Sequence, residues 1–263
     1  MADFKKKYDA QPGITDFSQD FAEVERIQSI NNIIPKDVCT ILDAGCGNGF
    51  FINFLKQKNS YTKLTGLDYS EEALKHVQTD KIQGDITALP FADNSFDLVT
   101  CLEVLEHLPL EDLKRGISEL QRVSKKYILI TVPNNENLQH HLKMCPKCSC
   151  CFNANFHVNS FNDTKLKNLF PQLQLIKLKK IGPYYKESHL SWPFYAIYMN
   201  WQKDNLPKIT ICPQCGYQNK EIIKNRQRLK NFSAKRISPL KFLIKFIIPG
   251  SKQKRWIMAL YKK

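Results

Sequence analysis

No apolar run in the sequence reaches the ~20 residues that a membrane-spanning helix needs. The first residues, 1–7, end in three lysines and are not followed by the apolar core of a secretion signal. We therefore expect a cytoplasmic protein. In that compartment, nine cysteines in 263 residues indicate metal ligands or buried thiols rather than disulfides.

Acidic residues are nearly absent from the end of the chain. Residues 220–263 contain fourteen Lys and Arg but one acid, Glu221, so this segment carries +13 of the net charge of +14. Residues 1–219 are therefore almost neutral, which argues against RNA as a substrate of the main body. The asymmetry predicts that the tail has a partner of its own.

The tail also mixes its lysines with aliphatic and aromatic residues between positions 240 and 261. Pro249 and Gly250 divide this stretch into two predicted short helices. A basic and apolar composition is typical of a helix that lies on anionic lipid, which would place the protein at the inner membrane face. The alternative is that the apolar residues pack on the core and the lysines are solvated.

A glycine-rich turn follows the first predicted strand. The stretch 41–50 reads Ile-Leu-Asp-Ala-Gly-Cys-Gly-Asn-Gly-Phe, which predicts a buried strand, a tight turn and the start of a helix. This arrangement forms the ligand-binding corner of a doubly wound α/β sheet, although an ordinary glycine turn is the alternative. The dinucleotide fingerprint G-x-G-x-x-G is not met, because Phe50 stands where its third glycine would be.

The pattern Asp-x-Gly-x-Gly-x-Gly closely resembles motif I of the class I S-adenosylmethionine-dependent methyltransferases. The resemblance implies that Gly45, Gly47 and Gly49 line the methionine part of this cofactor, with Asp43 beside them. Asp68 ends the next predicted strand about twenty residues later, where an acid can accept hydrogen bonds from both ribose hydroxyls.

Further cofactor contacts follow from the same resemblance. It implies that Asp85 accepts a hydrogen bond from the adenine amino group and that Ile86 contacts the ring. Asp85 could instead cap a turn. Tyr69 and Cys101 complete the expected cofactor contacts, although the position of Cys101 in a strand also fits a plain buried thiol.

Residues 101–109 read Cys-Leu-Glu-Val-Leu-Glu-His-Leu-Pro, a run typical of the resembled family, and they follow the fourth predicted strand. His107 could be a general base, because imidazole titrates near neutral pH, or it could hold a glutamate within its own loop. His157 could be a base, a neighbour of a metal or a packing residue. The candidate catalytic residues are His157, His107 and Glu103.

Two Cys-Pro-x-Cys knuckles occur at 145–148 and 212–215. Such a pair supplies the four tetrahedral thiolates of a structural zinc site, which leaves no open position for catalysis. Cys150 or Cys151 could replace a knuckle member, and a redox role would need a βαβ context that is absent here. The predicted zinc ligands are Cys145, Cys148, Cys212 and Cys215.

These patterns predict an α/β, Rossmann-like, doubly wound and mostly parallel seven-stranded sheet with an inserted zinc-binding subdomain and a basic, helical C-terminal tail. The predicted parts are a methyltransferase domain (1–139 and 158–205), a zinc-knuckle subdomain (140–157 with 206–219) and the tail (220–263).

The resemblance implies methyl transfer from S-adenosylmethionine to an oxygen of a glycan or another small molecule, including a lipid-linked surface polysaccharide precursor. The alternatives are an RNA methyltransferase and a natural-product or quinone O-, N- or C-methyltransferase. A binding module without activity is disfavoured, because the motif acids are all present.

Overall fold

The computed structural model describes residues 20–58, 60–188, 211–217 and 250–263. The described residues divide into two compact units. The first unit contains residues 20–136, 157–185 and 254–263, and the second contains 137–156, 186–188, 211–217 and 250–253. The part of the predicted tail between 220 and 249 lies outside the described residues.

The described strands are β1 (Thr40–Ala44), β2 (Lys63–Asp68), β3 (Asp80–Gln83), β4 (Phe96–Leu102), β5 (Ser124–Pro133), β6 (Leu142–Met144), β7 (Cys151–Asn153), β8 (Gln174–Ser188) and β9 (Gly250–Lys262). Seven of them form one sheet in the order β3-β2-β1-β4-β5-β9-β8, while β6 and β7 form a separate antiparallel pair. Strands β1 to β5 pair in parallel, and β9 is antiparallel to β5. This confirms the predicted doubly wound, mostly parallel sheet of seven strands.

The described α-helices are α1 (Phe21–Asn31), α2 (Phe50–Lys58), α3 (Glu71–Leu74), α4 (Leu110–Val123) and α5 (Asp163–Lys167), and short 3-10 turns cover Leu105–His107 and Leu138–His141. Helix α1 begins after Asp20, whose carboxylate accepts a hydrogen bond from the Ala22 N–H at 2.9 Å. No described helix has the length and apolar character that crossing a membrane would require.

The central strands are buried on both faces of the sheet. In β5, Ile128 and Ile130 belong to one hydrophobic cluster, while Leu129 between them belongs to the other. Successive residues of a strand point to opposite faces, so continuous apolar runs are what a doubly covered sheet needs. The sheet order reverses between β1 and β4, which places a crevice at the carboxyl ends of these two strands.

The end of the chain corrects a prediction. Residues 250–262 form strand β9, in register with β5 from Tyr127 opposite Lys262 to Pro133 opposite Trp256. All residues from Trp256 to Tyr261 are buried. The predicted helix is therefore wrong for this segment, because its apolar run fills both faces of a strand within the sheet, and periodicity alone does not separate a short buried strand from a helix.

Candidate functional site

The glycine turn lies between β1 and α2, at the carboxyl edge of the sheet. Gly45 and Gly47 have φ angles of 82° and 54°, in the left-handed region that favours glycine. A Cβ atom at Gly45 would clash with a methyl carbon of Val104, so this position has no room for a side chain. A Cβ atom at Gly47 would have no atom of the described residues within 4 Å, so the backbone there faces open space. A ligand could therefore approach the main chain at Gly47.

Asp68 ends β2 beside this turn and is 6% exposed. Its Oδ2 accepts a hydrogen bond from the Gly47 N–H at 2.7 Å, and its Oδ1 accepts one from the Ser70 N–H at 2.9 Å. The carboxylate is thus fixed in orientation. Its predicted role toward a ribose remains a prediction.

Asp43 lies at the end of β1 and is 2% exposed. The Thr100 hydroxyl donates a hydrogen bond to its Oδ1 at 2.7 Å. Burial raises the pKa of Asp43 to about 7, and the Thr100 hydrogen bond and the charge of Arg26 only partly oppose this rise. Asp43 therefore titrates near neutral pH in the protein without ligands.

The residues predicted at the adenine end differ in their exposure. Asp85 is exposed, and its Oδ1 accepts hydrogen bonds from the N–H and the hydroxyl of Thr87, both at 2.8 Å, as the turn alternative required. Ile86 is 7% exposed within a hydrophobic cluster, whereas Tyr69 is 47% exposed. Cys101 is completely buried in that cluster, which does not agree with a cofactor contact and fits the alternative of a buried thiol.

The candidate catalytic residues lie together with a further glutamate, Glu106. The 3-10 turn after β4 carries Glu106 and His107, and the Glu106 carbonyl accepts hydrogen bonds from the N–H groups of Val158 and Asn159 at 2.8 and 3.0 Å. These bonds hold His157 beside the turn. The His107 and His157 rings are 4.7 Å apart between centroids, with an interplanar angle of 72°.

Glu106 is the most deeply buried acid of this cluster, at 1% exposure. Within the described part of the chain, neither of its carboxylate oxygens has a hydrogen-bond partner. Burial raises the pKa of Glu106 well above its ordinary value, and the negative charge of Glu103 raises it further. A Glu106 oxygen and one ring nitrogen each of His107 and His157 all lie within 4.8 Å of one another.

Glu103 is held by a network that the sequence did not reveal. It has a φ of 58°, its Oε1 accepts a hydrogen bond from the Thr131 hydroxyl at 3.0 Å, and that hydroxyl accepts one from Arg26 Nη1 at 3.3 Å. Burial raises the pKa of Glu103, and the charge of Arg26 partly opposes this. Helix α1 thus supplies a largely buried cation, which is also ion-paired with Glu23 at 2.7 Å, to the acids of the site.

His157 has a carboxylate partner of its own. Its Nδ1 is hydrogen-bonded to Oε2 of Glu136, which is 8% exposed and follows β5. The predicted zinc-knuckle subdomain ends at His157, but this residue belongs to the unit that contains the sheet. Glu136 and Arg26 were not predicted, because Glu136 meets His157 across 21 residues and Arg26 meets Thr131 across 105 residues.

The four knuckle cysteines converge in the second unit. The sulfur atoms of Cys145 and Cys215 are 3.6 Å apart, those of Cys148 and Cys212 are 3.5 Å apart, and all four lie within 4.8 Å of one another. A tetrahedral zinc site with Zn–S bonds of about 2.3 Å has sulfur atoms roughly 3.8 Å apart. The four thiols therefore have the spacing to ligate one zinc ion.

The two knuckles share one backbone geometry. In each, the residue four positions after the first cysteine has a positive φ, 57° at Ser149 and 68° at Gly216, and its N–H donates to the carbonyl of that cysteine. The N–H of the first cysteine donates to the carbonyl five positions after it, from Cys145 to Cys150 and from Cys212 to Tyr217, in both cases at 2.9 Å. Among the residues that the structure describes, Cys150 and Cys151 are not part of the four-sulfur cluster.

Comparison with known proteins agrees with this geometry. Residues 42–129, from β1 to β5, match the family model described as a methyltransferase domain. The chain carries a class I, S-adenosylmethionine-dependent methyltransferase domain. The matched range includes the glycine turn, Asp68 and the turn that carries Glu106.

Two relatives are similar to part of this chain. An uncharacterized protein of Methanocaldococcus jannaschii is 32% identical over 148 residues, which are 52% of this chain and 63% of the relative. A demethylmenaquinone methyltransferase of Desulfitobacterium hafniense is 33% identical over 132 residues, 46% of this chain and 51% of the relative. The chain therefore spans between half and two thirds of the length of these two relatives.

Among solved structures, the PH0226 protein of Pyrococcus horikoshii has a TM-score of 0.54, with 21% identity over 68% of this chain and 94% of that chain. The YcgJ protein of Bacillus subtilis has a TM-score of 0.52, with 16% identity over 92% and 98% of the two chains. At these identities the likeness shows the fold of the methyltransferase domain.

Proposed function

We propose that the protein transfers a methyl group from S-adenosylmethionine to an oxygen of a small-molecule acceptor. The observation that carries this proposal is the pairing of Gly47 with Asp68 at the carboxyl edge of the sheet. The Gly47 backbone faces open space, and a buried, oriented carboxylate lies directly beside it. An open main chain next to a fixed hydrogen-bond acceptor fits the methionine and ribose parts of the cofactor.

The cofactor contacts follow the order of the strands. The methionine part would lie on the glycine turn near Asp43, and the ribose hydroxyls would donate to Asp68. The adenine would lie near the carboxyl ends of the parallel strands β2 and β3. Tyr69 directly follows β2, and Asp85 and Ile86 come shortly after β3. The Tyr69 side chain is 47% exposed there.

The reaction would be a direct displacement. The acceptor oxygen attacks the methyl carbon, the bond from that carbon to sulfur breaks, and S-adenosylhomocysteine leaves. The proton of the acceptor hydroxyl must pass to a base or to solvent. The protein contributes mainly by holding both reactants in line, and the cluster of Glu103, His107 and His157 is its candidate for handling that proton.

The acceptor is proposed from the names of relatives and from charge. One relative is named demethylmenaquinone methyltransferase. Another, 38% identical over 35% of this chain, is named malonyl-[acyl-carrier protein] O-methyltransferase. These names favour a small acceptor over RNA, as does the near-neutral charge of residues 1–219. A glycan, including a lipid-linked polysaccharide precursor, is a narrower form of the same proposal.

Fewer residues of the tail now support the predicted contact with an anionic membrane. The apolar residues 256–261 are buried in β9, so they are not available to a lipid surface. Residues 220–249 retain nine Lys and Arg against one Glu, together with an apolar stretch near 242–248. If the protein meets a membrane, we infer that this segment makes the contact.

We also propose that the four knuckle cysteines bind one structural zinc ion. Support comes from the spacing of their sulfur atoms and from the matching geometry of the two knuckles. Four thiolate ligands leave no open coordination position, so this zinc would stabilise the second unit and take no part in methyl transfer.

The test of the proposed function combines binding and turnover. Calorimetry should detect binding of S-adenosylmethionine and S-adenosylhomocysteine to the purified full chain. Incubation with S-adenosylmethionine and panels of reduced quinones, carboxylic acids on acyl carriers, nucleotide-linked and lipid-linked sugars, and RNA should give a mass increase of one methyl group in one class. Failure to bind either cofactor form would overturn the proposal, and methylation of RNA alone would overturn the choice of acceptor.

A further inference from the structure

Among the described residues, no group donates a hydrogen bond to the buried carboxyl group of Glu106. It is 1% exposed, and in the described residues neither of its oxygens receives a hydrogen bond. A buried carboxyl group without donors costs folding free energy, and such groups are rare unless an ion, a water or a ligand satisfies them. The surroundings of Glu106 therefore have to explain why the chain keeps an acid here.

Two imidazoles face this carboxyl group. One ring nitrogen of His107, one ring nitrogen of His157 and one Glu106 oxygen all lie within 4.8 Å of one another. We propose that Glu106, His107 and His157 bind a divalent transition-metal cation such as Mn²⁺, Fe²⁺ or Zn²⁺. Two histidines and one carboxylate form a set that such cations accept while keeping open positions for other ligands.

The second partner of His157 supports this assignment. Its Nδ1 is hydrogen-bonded to Glu136, so its Nε2 remains for a ligand. Histidines that bind metals commonly have such a carboxylate on the other ring nitrogen, which fixes the ring and makes it a better ligand. The loop carrying Glu136 is itself fixed, since the Asn135 N–H donates to the Phe161 carbonyl at 2.7 Å.

The local charge also favours a cation. Glu103 and Glu136 both act on Glu106 with negative charge, and Arg26 is the positive group that faces it. Arg26 is also ion-paired with Glu23 at 2.7 Å, so this one guanidinium faces four carboxyl groups in a site with little exposure. A bound divalent cation would balance this excess and would give both Glu106 oxygens a partner.

The cation would also have a use in the proposed reaction. An open coordination position could bind the acceptor oxygen and lower the pKa of its hydroxyl, so that the proton could pass to water and no imidazole need act as base. This consequence rests on the proposed function, whereas metal binding by the three residues does not. The oxygen and nitrogen ligands here also differ from the four thiolates of the knuckles, which prefer softer or borderline ions.

Titration of the full-length, zinc-loaded protein with Mn²⁺ tests the proposal, with free Mn²⁺ followed by electron paramagnetic resonance. Mn²⁺ is the probe because it binds thiolates weakly. We expect one Mn²⁺ per chain, a loss of at least about tenfold in affinity in Glu106→Gln and His157→Ala, and a loss of ~10- to 100-fold in Glu136→Gln. Glu111→Gln, an exposed acid on α4, is the matched control and should bind as the wild type does.

Several outcomes would overturn the site. The first is that the wild type binds no Mn²⁺. The second is that folded Glu106→Gln binds Mn²⁺ with wild-type affinity. The third is that Cys212→Ser loses Mn²⁺ binding while Glu106→Gln retains it. Glu106→Gln cannot ionise and keeps the shape of the side chain, so we expect it to fold, and circular dichroism checks this. If the protein bound Mn²⁺ but no S-adenosylmethionine, the proposed function would fail while the metal site stood.

Discussion

Replacement of Asp68 by alanine is the most direct test of the cofactor site. The carboxylate lies at the end of β2, where it accepts hydrogen bonds from the N–H groups of Gly47 and Ser70 at 2.7 and 2.9 Å. The substitution therefore removes the proposed ribose acceptor and one support of the glycine turn. Both effects should weaken S-adenosylmethionine binding.

The magnitude follows from the charge of the acceptor. A hydrogen bond to a charged group contributes about 1.5–3 kcal/mol, which corresponds to a roughly 10- to 150-fold rise in Kd. Because Asp68 is 6% exposed, water cannot easily replace it as an acceptor. We expect the upper half of this range, since the Gly47 N–H loses its acceptor in the same variant.

Isothermal titration calorimetry measures this change, and Asp80→Ala is the matched control. Asp80 is the first residue of the neighbouring parallel strand β3, so it lies at the amino end of the strands, whereas Asp68 lies at the carboxyl end. The Asp80 side chain is exposed. The control should bind S-adenosylmethionine with wild-type affinity. Wild-type affinity in folded Asp68→Ala would refute the ribose assignment, and equal weakening in both variants would show a general effect of lost charge.

Two further predictions concern the zinc site and a buried acid. Metal analysis should find one zinc ion per chain. Cys212→Ser should lose the zinc ion and thermal stability, whereas Cys39→Ser, at an exposed cysteine, should keep both. Reduced wild-type protein without zinc would contradict the zinc site. The pKa of Asp43 is raised to about 7, so the stability tied to its protonated form is present below about pH 4 and is lost as the pH rises through about 7. In Asp43→Asn, the new side chain can still accept a hydrogen bond from Thr100 but cannot ionise. Between pH 5 and 8 its unfolding free energy, measured by urea titration of ligand-free protein, should therefore fall less than that of the wild type. Parallel curves for the two proteins would refute the reasoning.

The parts of the fold that were predictable have local causes. A glycine turn after an apolar strand restricts the backbone within ten residues, and a Cys-Pro-x-Cys knuckle does so within four. Strand β9 has no such local signal. Its residues 256–261 are apolar throughout, and what makes them a strand is the open edge of β5, which lies more than a hundred residues earlier. Helix and strand therefore could not be separated from that segment alone.

The same distinction separates the two metal clusters. The thiol cluster follows from two copies of one short motif, so its four ligands could be assigned before their distances were known. The second cluster combines Glu106 and His107 with a histidine fifty residues away, and Glu136 and Arg26 complete it from two further elements. In the sequence, Glu106 was a residue that His107 could hold. In the part of the chain that the structure describes, Glu106 is a buried acid without a donor, and this makes a bound cation a better explanation of Glu106 and His107 than a general base.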